Sequence, residues 1–92
     1  MKSFIQIKKE FLILREDAKK LAQKAKRKNI KTIFFDFSRV RIMSRGFVDE
    51  FLNEISKLKE KGIKVRLWQI NSDLRKFISK VKKTKKEIQK FA

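Results

Sequence analysis

The chain has no cysteine, no histidine and no proline, and only two glycines in 92 residues. Without cysteine there is neither a disulfide framework nor thiolate chemistry. Without histidine as well, the commonest general base and the strongest common nucleophile are both missing. Two glycines cannot build a Gly-rich phosphate loop, and no set of acids falls at metal-ligand spacing. No catalytic residue, metal site or cofactor is therefore expected, and enzymes are the disfavoured class. Long apolar runs are lacking too. Runs such as Phe11-Leu12-Ile13-Leu14 fall far short of the roughly 20 residues needed to cross a bilayer, and no signal-peptide pattern opens the sequence. The expectation is a cytoplasmic protein with no membrane partner.

Acid is scarce. Lys and Arg number 27 against 10 Asp and Glu, a formal charge of +17. Such a chain repels itself and attracts polyanions. A thermophile's composition bias would raise Glu along with Lys, and here Glu lags. The charge is also uneven. Residues 15–31 hold eight basic and two acidic residues, and 71–92 hold the same numbers, whereas 32–56 hold three basic and four acidic. The stretch FFDFSRVRIMSRGFVDEF, residues 34–51, contains no lysine.

The length suits one domain over residues 1–92, with 82–92 as a basic tail that could fray. Residues 3–7 and 11–14 read as short strands joined by a hairpin turn at Lys8-Lys9-Glu10. From Arg15 the period changes: Ala18, Leu21, Ala22 and Ala25 share one helical face. Glu16 and Asp17 sit in the first turn of that helix, Lys26, Arg27 and Lys28 in its last, and Asn29 at its C-cap. Ile30–Phe37 reads as a strand with Ile33 and Phe35 on one face and Phe34 and Asp36 on the other. A second helix starts near Ser44, with Phe47, Val48, Phe51, Leu52, Ile55 and Leu58 as its stripe, and ends at Gly62. Ile63–Trp68 is a further strand, carrying Lys64, Arg66 and Trp68 on one face. Asn71 and Asp73 open a third helix on Leu74, Phe77, Ile78 and Val81, with Ile88 in phase. The order ββαβαβα predicts a small α/β domain: a mixed sheet with helices mainly on one face and the other face partly open.

Ser44-Arg45-Gly46-Phe47 marks the start of the second helix. Ser44 suits an N-cap, and a serine there is also where a phosphate is best tolerated. Gly46 leaves the helix surface bare for a close-approaching partner. The wider run Asp36-Phe37-Ser38-x-Val40-x-Ile42-Met43-Ser44-Arg45-Gly46-Phe47-Val48-Asp49-Glu50 resembles the STAS-like domain family, related to bacterial anti-sigma factor antagonists. "FLILREDAKKLA" before it and "GIKVRLWQINSDLRKFI" after it extend the likeness over nearly the whole chain. The resemblance implies a small α/β domain that binds partner proteins. In the antagonists the loop and helix dock a kinase-like anti-sigma factor, and phosphorylation of a serine at that helix start switches the contact off. Aligned on the glycine, that serine is Ser44. The antagonists' Asp-Ser-Ser-Gly is replaced here by Met-Ser-Arg-Gly.

Two functions of different classes follow. The first is a non-enzymatic regulatory or adaptor module binding an unidentified protein through Ser44–Phe51. Ser44 is its candidate phospho-acceptor and N-cap, and Arg45, Gly46, Asp49 and Glu50 are its candidate partner contacts. The alternative is a small RNA- or DNA-binding protein; under either reading the chain is expected to be a monomer or a homodimer. The nucleic-acid binder would use Lys19, Lys20, Lys24 and Arg27 on the first helix, Lys64, Arg66 and Trp68 on the strand, and Lys80, Lys82, Lys83, Lys85 and Lys86 near the C-terminus.

Overall fold

A computed structural model describes residues 2–25 and 30–91, with the side chains of 87–91 left aside. The elements are β1 (Lys2–Gln6), β2 (Phe11–Leu12), α1 (Arg15–Ala25), β3 (Thr32–Asp36), β4 (Ile42–Met43), α2 (Arg45–Glu60), β5 (Lys64–Trp68) and α3 (Ser72–Phe91). The alternating pattern of β3 and β5 places Ile33, Phe35, Val65 and Leu67 on the helix side. There Ile33 and Phe35 join Ile5, Leu21, Phe47, Phe51, Leu58, Ile78 and Val81 in one core cluster, against which the partly buried Val65 and Leu67 pack. Phe51 sits at its centre, with the rings of Phe35, Phe47 and Phe37 at centroid distances of 5.2, 5.4 and 5.8 Å. The opposite face of the sheet carries Phe4, Arg66 and Trp68, all exposed, so the expectation of helices on one side and an open face on the other holds.

The strands lie in the order β1-β3-β5, with β2-β4 as a separate pair. Every described pairing is parallel, so the hairpin expected at Lys8-Lys9-Glu10 does not form and the sheet gains no antiparallel pair from it. The turn there lacks the Gly or Asn that a two-residue hairpin needs. Ile7 instead donates its N–H to the Asp36 carbonyl at 3.1 Å, prolonging the β1–β3 ladder. The chain then swings to the loop before α2, where the Glu10 carbonyl accepts from the N–H groups of Arg41 and Ile42 at 2.8 and 3.2 Å. The strand β4 that receives β2 has two residues and no periodicity of its own.

The helix ends follow the sequence signals where they are described. Asn71 Oδ1 accepts from the Leu74 N–H at 2.9 Å and caps α3. Gly62 takes φ 82°, the left-handed turn that glycine adopts at little cost. Lys26, Arg27, Lys28 and the expected cap Asn29 lie outside the described residues. Gln69, at φ 51°, turns the chain out of β5 without a glycine. Among the described residues no helix is long and apolar enough to cross a membrane, and no group of His, Cys, Asp or Glu is placed to hold a metal ion.

Candidate protein-interaction site

Ser44 stands where the β2–β4 pair hands over to α2. Its backbone is extended, φ −82° and ψ 159°, and its Oγ accepts from the Phe47 N–H at 3.0 Å, the geometry of an N-cap. Its own N–H donates to the Leu12 carbonyl at 2.9 Å, and its hydroxyl donates to the carbonyl of Ile13. The hydroxyl is thus engaged as acceptor by the helix and as donor by the neighbouring segment. Met43 before it and Phe47 and Val48 after it are buried, so the cap is held from both sides.

Arg15, at the start of α1, lies over this helix start. Its Nη1 donates to Asp49 Oδ2 at 2.7 Å and reaches Glu50 Oε1 at 3.9 Å. From α3, Lys85 Nζ lies 3.0 Å from Asp49 Oδ1, and it donates to the Asp49 carbonyl at 3.1 Å and to Asn53 Oδ1. Asp49 therefore ties α1, α2 and α3 together. The hydrogen bond from Arg15, and then that from Lys85, hold its carboxyl below the usual aspartate range. Asp49 and Glu50 fall after the first turn of α2, which holds no acid. Their carboxylates meet the chain's own cations. A Cβ added at Gly46 would sit 3.8 Å from Ser44 Oγ and 3.9 Å from Arg15 Cγ, ordinary contact distances. Gly46 is thus required neither by its own conformation nor by space within the chain. Arg45 beside it is exposed.

Next to this helix start lies a patch that the sequence did not single out. Phe11, Ile13, Leu14 and Ile42 are 47–60% exposed. Phe11 and Ile42 are register partners across β2 and β4, and Ile13 carries the carbonyl that Ser44 meets. The signal available in the sequence was the run Phe11-Leu12-Ile13-Leu14, in which only Leu12 is buried. Contiguous exposed apolar side chains mark interaction surfaces in soluble proteins. Arg15 was equally unmarked, because its hydrogen-bond partner Asp49 lies 34 positions away.

The basic residues do not form one surface. Lys19, Lys20 and Lys24 are exposed on α1, and Lys80, Lys82, Lys83 and Lys86 on α3. Lys64, Arg66 and Trp68 are exposed on β5, and their side chains occupy the sheet face turned away from the helices. Arg27 lies outside the described residues. Lys85 is not a free cation of a polyanion-binding run, since Asp49 and Asn53 hold it.

A family model described as STAS domain matches residues 7–91, and the chain belongs to that family. No curated protein and no solved structure matches it. STAS domains are regulatory, protein-interaction modules and as a rule non-enzymatic, in line with the resemblance carried by residues 36–50.

Proposed function

We propose that this STAS domain docks a protein partner on the start of α2, as a regulatory module whose contact is set by the state of Ser44. The observation that carries this reading is the adjacency of the Ser44-Arg45-Gly46 turn to the exposed side chains of Phe11, Ile13, Leu14 and Ile42. An apolar centre with a polar rim is the usual anatomy of a protein interface. Ser44, Arg45 and Gly46 form the polar and close-approach part of the surface, and the four apolar side chains form its centre. Asp49 and Glu50, held by Arg15 and Lys85, fix the orientation of the helix that presents it.

A phosphate on Ser44 would remove the hydroxyl proton that now goes to the Ile13 carbonyl and set a dianion beside the apolar centre, with Arg45 next to it. That change weakens docking while the helix N-terminus tolerates the charge.

The test uses a photo-crosslinking residue at position 45 and, separately, at position 83, in nuclease-treated lysate of the source cells. The reading expects one protein captured from position 45 and not from position 83. That protein is then titrated against the unmodified chain, Ile42→Ser and Ser44→Asp, with losses of about tenfold or more expected for both variants. Equal capture from both positions, or unchanged affinity of both variants, overturns it.

A further inference from the structure

The sheet face that the helices leave uncovered is a grid. Its register sets Lys2, Thr32 and Lys64 in one row, Phe4, Phe34 and Arg66 in the next, and Gln6, Asp36 and Trp68 in the third. Phe4 and Phe34 lie with ring planes 11° apart and centroids 4.6 Å apart, and Trp68 meets Phe34 edge-on at 6.3 Å. Phe4 is 65% exposed and Trp68 49%. None of the three belongs to the core cluster. Three adjoining aromatic rings stand on the solvent side of the sheet, outside the packing of the core, with Lys2, Lys64 and Arg66 on one side of them.

We propose that this face binds single-stranded nucleic acid, with bases stacking on Phe4 and Trp68, the exposed rings on either side of Phe34, and phosphates meeting Lys2, Lys64 and Arg66. Every base has a flat π-face, so aromatic platforms accept it largely without regard to sequence. In a duplex those faces are covered and only edges and phosphates are offered. Phe34 on β3 is stacked against Phe4, so it backs the exposed ring on β1, and Phe4 on β1 and Trp68 on β5 are the two rings left to meet bases. Lys31 and Lys61 extend the cationic rim beyond Thr32 and Lys64, around a hollow at the end of the sheet. Asp36 is the grid's one acid, and its carboxylate already accepts the Ser38 N–H at 2.9 Å.

The charge also argues against the obvious other occupant. A second copy placed face to face would set Lys2, Lys64 and Arg66 against the same three cations, with a single Asp36 on each side, in a chain of net charge +17. A polyanion removes that repulsion and releases counterions as it binds. This inference stands apart from the docking surface at Ser44, which lies on other elements.

Trp68 is the chain's only tryptophan, so its emission reports on this face directly. The full chain is titrated with a short oligothymidylate at about 150 mM salt, near the physiological ionic strength. The expected result is saturable quenching of Trp68. Stacking is worth about 1–3 kcal/mol per base, so Phe4→Ala should weaken binding by roughly five- to 150-fold. Phe4→Leu, which keeps an apolar side chain but no flat ring, should weaken it similarly. Phe4 is exposed but pairs with Phe34 across the strands, so both variants should lose only about 1 kcal/mol of stability or less, and alike, while remaining folded. Lys64→Ala should flatten the salt slope by about 0.7. Absence of binding overturns the proposal. So does equal affinity for a duplex or for heparin with Trp68 emission unchanged, since that would be attraction by charge alone. Quenching by polyglutamate but not by the oligonucleotide would assign the face to an acidic protein instead.

Discussion

Arg15 reaches across from the first turn of α1 to the carboxylate of Asp49 on α2, Nη1 to Oδ2, at 2.7 Å. Lys85 approaches the same carboxylate from α3, so one aspartate joins the three helices. The segment that drops its lysines thus supplies the counter-charge that lets two cations pack beside it. Asp49 holds a pKa below its ordinary value because of these bonds, first that of Arg15 and then that of Lys85. A depressed carboxylate adds stability above its unfolded pKa of about 3.9 and loses it as pH falls through the folded value. Asp49→Asn should therefore lower stability at neutral pH and flatten the acid limb of the stability curve below about pH 4. Asp17, depressed chiefly by its hydrogen bond from Lys9, should keep its own acid dependence in the variant. Urea unfolding at a series of pH values measures both. A parallel acid limb in Asp49→Asn would show that the clamp contributes nothing.

Removing the Ser44 hydroxyl takes away an N-cap acceptor and the donor to Ile13 together. Ser44→Ala should cost about 0.5–2 kcal/mol. Ser44→Asp restores the acceptor but not the donor and should fall between the alanine variant and the parent. Chemical denaturation of the three proteins checks the order.

Phe51 is 1% exposed, with the rings of Phe35, Phe37 and Phe47 around it. Phe51→Ala should lose about 3–5 kcal/mol, the transfer of the ring plus the cavity it leaves. Equilibrium unfolding that shows no change would place this helix face outside the core.

Gly46 gives a clean separation of folding from docking. A methyl group there meets Ser44 and Arg15 only at contact distance, and alanine is the better helix former by up to about 1 kcal/mol. Gly46→Ala should therefore melt at or above the parent temperature. Under the docking proposal it should bind the partner of α2 less well, because the bare surface beside Arg45 is filled. A titration of that partner, beside a melting curve, reads the two effects independently.

Much of the fold was legible because period and caps are local. The stripe from Phe47 to Leu58 is the buried face of α2, the alternation in β3 and β5 separates core from open face, and Ser44, Gly62 and Asn71 act where their chemistry suggested. The pairing of residues 11–14 was not legible. A two-residue strand such as Ile42–Met43 has no period to detect, and parallel partners are far apart in sequence.

Composition, periodicity and caps alone determined an α/β chain without the common catalytic groups, its three helices, its inward stripes and the serine at the head of the second helix. These rest on interactions within a few residues, which the order of side chains specifies directly. Only the tertiary structure decided that Lys85 belongs to an interhelical clamp while Lys64 and Arg66 are exposed on the open face of the sheet. It alone set Phe4 flat against Phe34, and it alone gathered Phe11, Ile13, Leu14 and Ile42 beside Ser44. The clamp depends on how α1 and α3 pack against α2; the contacts on the sheet and beside Ser44 depend on the parallel register of strands some 30 residues apart, and register is fixed by burying one whole face of the sheet at once.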